Sequence, residues 1–350
     1  MVHADDTPPQ GPGTPQEGPG AAPQPPGAGD SPYGFDPTYG YELPALLAVP
    51  APPAPDDFGE FWGRLRGRAR AVATEPEPGP VEDERDGLVI RSVSYTSLGG
   101  VRLGGWFAMP AEGPVRHGFV IGHGYGGRDR PGPDLPLPLG QSAAILPCVR
   151  GLPARGLVDG VPAEPDAHVL HGIGSRETSV LGECVADLWC AASALVELVP
   201  ALAGPRLGYL GESLGGGLGA LALPWDERFV AAQLTVPTFG NHPLRLTLPS
   251  VGSGESVRGY HAEHPEVTDV LTYFDAATAA TLIRVPTLVA AALYDPAVPP
   301  PGQFAVHNAL PAAGDPFLLR AGHHPYAEET TDRTALAQAR TDFFAATMPG

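Results

Sequence analysis

From residue 117 onward the chain alternates short, continuously apolar runs with longer stretches of helical periodicity. The runs are Gly118–Gly122, Ala143–Val149, Arg206–Gly211, Phe229–Val236, Pro286–Leu293 and Phe317–Arg320, set off by Gly or Pro. Continuous apolarity, rather than alternation, marks strands buried on both faces. Among them, Val180, Leu181, Cys184, Val185, Leu188, Trp189, Ala192, Leu195, Val196 and Val199 recur at helical spacing and predict a long core helix. Strand–helix–strand repetition of this kind predicts a mostly parallel sheet with helices on both faces. Upstream, Leu88–Thr96 and Val101–Met109 have strand character and are joined by Leu98-Gly99-Gly100, which predicts an antiparallel hairpin. A helix is expected from Asp56 to about Arg70. The polar, His-rich stretch Phe239–Thr272 breaks the alternation and reads as a cap over the carboxyl edge of the sheet, where such folds bind ligands.

Composition trims this picture at the front. Residues 1–32 hold 9 Pro and 6 Gly with almost no aliphatics, a disordered-tail composition. Residues 33–350 then form a single α/β domain, with 239–272 as its cap. All 21 basic residues are Arg, so a Schiff-base lysine, pyridoxal chemistry and a Walker-A phosphate loop are excluded. The net charge of −18 argues against nucleic acid or an anionic membrane surface as partner. The nearest cationic cluster, Arg64, Arg66, Arg68 and Arg70, reads as a solvated helix face. Three cysteines (Cys148, Cys184, Cys190) in apolar settings suggest buried thiols in a reducing compartment. The N-terminus carries acids where a signal peptide carries cations, and no apolar run reaches the 18 or so residues of a membrane helix. The expectation is a cytoplasmic protein without a membrane span.

The chemistry concentrates in Gly211-Glu212-Ser213-Leu214-Gly215, which follows an apolar strand and opens a small-residue helix. In α/β-hydrolases a serine nucleophile sits at such a strained strand-to-helix turn, and neighbours two residues away must be small. The helix N-terminus adds partial positive charge where an oxyanion would form. A serine hydroxyl needs a base, and the base an orienting acid, in the chain order Ser, acid, His. Asp295 stands just past the apolar run ending at Leu293, and Gly322-His323-His324 follows the last run. His323 is favoured as the base because it directly follows Gly322; His324 remains the alternative. After the run ending at Gly122 comes His123-Gly124-Tyr125-Gly126-Gly127. A His-Gly loop here supplies one backbone oxyanion donor, assigned to the Tyr125 N–H, with Leu214 N–H as the second. His123 itself reads as a structural loop residue.

With these residues in view the chain resembles the acetyl xylan esterase / cephalosporin C deacetylase esterases, carbohydrate esterase family seven. The resemblance runs from about Phe35 to the His323 loop. It rests on Asp57-Phe58-Gly59-Glu60-Phe61-Trp62, the Gly99–Trp106 hairpin, His123–Gly127, Val149-Arg150-Gly151, the Ser213 elbow, Tyr273-Phe274-Asp275, and Asp295 with Pro299-Pro300. It implies an α/β-hydrolase fold, a serine deacetylase acting on short acyl esters of sugars or antibiotics, assembly as a hexameric ring, and a structural role for Arg150 in bracing the active-site loops. Leu152, Leu214 and His324 stand where the family has Gln, Gln and Glu.

Competing chemistries are weaker. His168/His171 and His261/His264 have the spacing of two ligands on one helix face, but no Cys pair or His-Glu-x-x-His accompanies them, so no metal is expected. Gly122, Gly124 and Gly127 match a dinucleotide fingerprint by letter, yet Arg128-Asp129-Arg130-Pro131-Gly132-Pro133 puts breakers where its helix should run, so no cofactor is expected either. The expected function is a serine esterase working through an acyl-enzyme on a small ester. The alternatives are a natural-product acyltransferase or cyclase on the same fold, and a non-catalytic binding variant.

Overall fold

Nine strands form one sheet in the order β1-β2-β3-β5-β4-β6-β7-β8-β9 in the computed structural model, which describes residues 23–26 and 31–348, with the backbone alone at Pro133. The expected disordered tail falls mostly outside the described residues. The strands are β1 Glu77–Arg85, β2 Leu88–Thr96, β3 Arg102–Pro110, β4 His117–Gly122, β5 Ser142–Pro147, β6 Leu207–Glu212, β7 Phe229–Thr235, β8 Thr287–Ala292 and β9 Phe317–Leu319. β1, β2 and β3 pair antiparallel, and β3 joins β5 antiparallel. From β5 to β9 every neighbour is parallel. This is the α/β-hydrolase architecture expected from the sequence, with all six apolar runs in its parallel part.

Alternate residues of the central strands feed two cores. Val120 and Tyr209 face the larger one, with the helices Phe58–Arg70, Val180–Leu198 and Leu214–Ala222. Phe119, Ile121 and Leu210 face the smaller one, against Phe344 of the last helix, Glu329–Thr347. The Val180–Leu198 helix is buried almost all round, as its nearly unbroken apolarity requires. Trp189 packs edge-on against Trp62, and Trp62 against Phe274, with ring centroids 6.2 and 5.7 Å apart. All three cysteines are buried and unpaired. No helix among the described residues is long and apolar enough to cross a membrane.

Two elements have no clear signature in the apolar pattern. Strand β1 is polar and largely exposed, with Pro78 and Pro80 tolerated because it lies at the sheet edge. Tertiary contacts hold it: Glu82 accepts from Trp106 Nε1 at 2.8 Å and pairs with Arg155 at 2.6 Å, and that guanidinium lies over the Trp106 ring. The helix Glu329–Thr347 buries only Asp332, Leu336 and Phe344. Polar contacts also tie it to the sheet, since Arg333 pairs with Glu212 at 3.0 Å and Arg340 Nε donates to Gln233 at 2.7 Å.

Candidate active site

Strand β6 ends at Glu212 and the helix begins at Leu214, so Ser213 carries the whole reversal at φ 56° and ψ −113°. Few L-residues adopt that geometry, and its strain persists only because the surroundings fix it. The two flanking glycines are required by close approach. A Cβ on Gly211 would fall 2.4 Å from the Gly215 carbonyl oxygen, and one on Gly215 would fall 2.7 Å from the Gly122 carbonyl carbon. Gly215 N–H donates to His123 O at 2.9 Å, locking the elbow to the loop after β4.

The carboxyl ends of β8 and β9 bring the other two side chains. His323 Nε2 is 2.9 Å from Ser213 Oγ, and its Nδ1 is 2.8 Å from Asp295 Oδ2. His323 reaches there at φ 47°, and Gly322 before it leaves the space: a Cβ at 322 would fall 2.4 Å from Asp295 Oδ2. Asp295 is fully buried and both its oxygens are saturated. Oδ1 accepts from the N–H groups of Ala297 and Val298 at 2.9 Å each, and Oδ2 also accepts from Gln303 Nε2 at 3.0 Å. Burial pulls the His323 pKa down, but the Asp295 charge and hydrogen bond outweigh it and leave the imidazole above its ordinary value. His324 is not at the serine; its Nδ1 lies 2.9 Å from the Tyr33 hydroxyl, and its ring packs on Tyr294.

The loop after β4 runs close to Ser213, with an ideal Gly124 Cβ 3.6 Å from Ser213 Cβ. Neither the Tyr125 nor the Leu214 N–H donates to a backbone acceptor among the described residues. The Leu214 amide is one of the free donors at a helix start. His123 is buried, its Nδ1 against Gly124 O at 2.7 Å and its Nε2 accepting from Val149 N–H at 3.1 Å. Burial, with Arg128 nearby, takes its pKa down to about 4, so it stays neutral and structural.

Arg150 sits behind this site. Its Nη2 pairs with Asp187 at 2.6 Å, its Nη1 with Glu183 at 3.1 Å, and Nη2 also donates to Leu98 O at 3.0 Å. Burial alone would lower its pKa, but the Asp187 charge and hydrogen bonds raise it above the ordinary value. The guanidinium thereby ties the loop after β5 to the Val180–Leu198 helix and to the turn after β2. Arg150→Leu would strand Asp187 as an uncompensated buried charge and should cost about 3–5 kcal/mol, read as a fall in the urea midpoint; an unchanged midpoint would count against this bracing role.

A pocket of about 570 Å³ opens over the serine, lined by Gly124, Tyr125, Arg128, Glu212, Ser213, Thr238, Arg245, Val251, Ser253, Val298 and His323 among others. Arg245, Val251 and Ser253 come from the 239–272 stretch. Of the four histidines weighed as metal ligands, His168 Nε2 bonds to Arg150 O at 2.9 Å, and the His264 ring lies tilted against Tyr260 with centroids 4.4 Å apart. No cluster of three potential metal ligands occurs among the described residues. No long helix opens after Gly127, only the short turn Gly132–Asp134. Gln303, Asp187 and Arg245 were not singled out in the sequence. Asp187, an acid one turn after Glu183 inside an apolar helix stripe, is the one with a readable signal.

The same frame recurs in known proteins. Solved structures of an acetyl xylan esterase from Thermoanaerobacterium sp. JW/SL YS485 (20% identity, TM-score 0.74, covering 89% of this chain and 100% of that one) and of one from Paenibacillus sp. R4 (22%, 0.73, 85% and 99%) superpose on it. The α/β-hydrolase GrgF from Penicillium sp. sh18 matches at 16% identity with a TM-score of 0.52, covering 75% of this chain and 99% of that one. The family described as Acetyl xylan esterase (AXE1) matches residues 48–338. With most of its length inside that match, the chain belongs to the acetyl xylan esterase family and is a carboxylic ester hydrolase.

Proposed function

We propose that the protein is a serine deacetylase in which Ser213, His323 and Asp295 form the catalytic triad and the amides of Tyr125 and Leu214 the oxyanion hole. The observation that carries this reading is the continuous relay at 2.9 and 2.8 Å from Ser213 through His323 to a fully buried Asp295. With Nδ1–H held by the carboxylate, Nε2 is the free lone pair and accepts the serine proton as Oγ attacks the acetyl carbonyl. The developing oxyanion lies between the two amides at the start of the Leu214–Ala222 helix, where the aligned peptide dipoles favour negative charge. Protonated His323 returns its proton to the departing alcohol. The neutral imidazole then takes a proton from water as it attacks the acyl-enzyme, and hands that proton to Ser213 Oγ as the acyl–oxygen bond breaks and acetate leaves. Family membership makes an acetyl ester of a carbohydrate the first substrate class to try, and the residues 239–272 serve as the cap that shapes the pocket within a domain spanning 33–350.

A fluorophosphonate should therefore label one site, with intact mass rising by a single adduct and the modified peptide containing Ser213. Absence of labelling under conditions where 4-nitrophenyl acetate is turned over would refute the serine mechanism.

A further inference from the structure

Four arginines are buried among the described residues: Arg66, Arg128, Arg150 and Arg245. The first three each hold an aspartate, Arg66 with Asp226 at 3.2 Å, Arg128 with Asp134, and Arg150 with Asp187 at 2.6 Å. Arg245 is the exception. It is 8% exposed and lines the pocket that contains Ser213 and His323. Among the described residues its Nε, like those of Arg66 and Arg128, is buried without a partner, and its guanidinium carbon lies 5.8 Å from the centre of the Phe239 ring.

The acids within electrostatic reach are already saturated. Asp275 accepts from the N–H groups of Asn241, His242, Ala277 and Thr278, and Asp295 is held as described above. Room is made for the cation: a Cβ on Gly254 would fall 2.5 Å from Arg245 Nη2. An unpaired buried charge is among the most destabilising features a fold can carry. It persists here in a chain with 39 acidic residues available to neutralise it. A planar fork of N–H donors, desolvated at a pocket wall and lacking a counter-ion among the described residues, matches a carboxylate.

We propose that Arg245 binds a carboxylate on the substrate, so that the esters selected carry an acid group in addition to the ester cleaved. The inference rests on the serine-esterase reading for its readout, and the carboxylate can belong either to the leaving alcohol or to the acyl group. Two matched pairs of probes separate these sources: 4-acetoxybenzoate against its methyl ester, and 4-nitrophenyl hemisuccinate against 4-nitrophenyl butyrate.

For one pair the charged-to-neutral ratio of kcat/KM should fall at least tenfold in Arg245→Met and recover in part in Arg245→Lys. A fall in the first pair places the acid on the alcohol, and a fall in the second places it on the acyl side. Ratios that stay within twofold for both pairs overturn the proposal. Binding keeps the question open to test without turnover or variants. By calorimetry the wild-type protein should bind 4-hydroxybenzoate or succinate at least tenfold more tightly than the corresponding methyl or dimethyl ester, and equal binding also overturns it. Loss of fluorophosphonate labelling and of all ester turnover would instead mark failure of the esterase reading, leaving calorimetry to judge Arg245. Arg245→Met should melt at or above the wild-type temperature, because it removes an uncompensated charge. A lower melting point with unchanged ratios would make Arg245 a structural residue and reject the carboxylate site.

Discussion

Ser213→Ala is expected to lower kcat for 4-nitrophenyl acetate on the order of a thousandfold or more, while KM changes little, because the nucleophile acts only once the acyl group is bound. The residual rate should come from the oxyanion donors and the pocket, which the substitution leaves in place. A second substitution at the same position separates chemistry from strain. At φ 56° and ψ −113° a Cβ is disfavoured, and glycine adopts those angles freely. Ser213→Gly should therefore be as inactive as Ser213→Ala but more stable than it by about 1 kcal/mol, the low end of the cost of such backbone strain. Thermal melts of the two variants measure this difference directly. Near-parental turnover in either variant would remove Ser213 from the mechanism, and an alanine variant as stable as the glycine one would remove the strain.

The elbow was legible in the sequence because its constraint is local. Two glycines are needed within two residues of the serine, and the apolar run before them is a strand buried on both faces. The same holds for the other parallel strands, whose continuous apolarity follows from helices on each side. Asp295 and His323 could be ranked by chain order, and Gly322 favoured His323 over His324, but the contacts that separate the two histidines come from distant parts of the chain. In space the missing side chain of Gly322 lets His323 reach Asp295, while Tyr33, far away in the chain, engages His324. Strand β1 escaped because its residues are polar and its position is fixed by Trp106 and Arg155. The last helix escaped because it buries so little of itself. Gln303 has no sequence signature at all, since its importance lies in joining Asp295, Val298 O and the Ala292 N–H.

That Gln303 contact makes Asp295→Asn the more informative loss. The carboxylate receives four donors: two backbone N–H groups on Oδ1, and Gln303 Nε2 with His323 Nδ1 on Oδ2. An asparagine offers one oxygen and one NH₂, so either orientation sets a donor against two donors. Keeping the oxygen toward Ala297 and Val298 points NH₂ at His323, which must then accept at Nδ1 and carry its proton on Nε2. In that tautomer it cannot take the proton from Ser213, and turnover should drop about ten-thousandfold. Donors left without acceptors should also cost about 1–3 kcal/mol of stability.

The pH profile supplies an independent readout. The base works only when neutral, so the acidic limb of kcat/KM reports its pKa in the free enzyme. With Asp295 charged that limb should lie above the ordinary imidazole value of about 6.5. Without the Asp295 charge, burial is opposed only by the weaker pull of Glu212, itself countered by Arg333, and the limb of the residual activity should move down. Stability follows the same linkage. A raised folded-state pKa contributes stability that is fully present below the unfolded value near pH 6.5 and is lost as pH rises through the folded value, so the wild type should lose this increment on going to alkaline pH and the asparagine variant should not. An asparagine variant within tenfold of wild-type turnover, with an unmoved acidic limb, would mean that some other group orients His323.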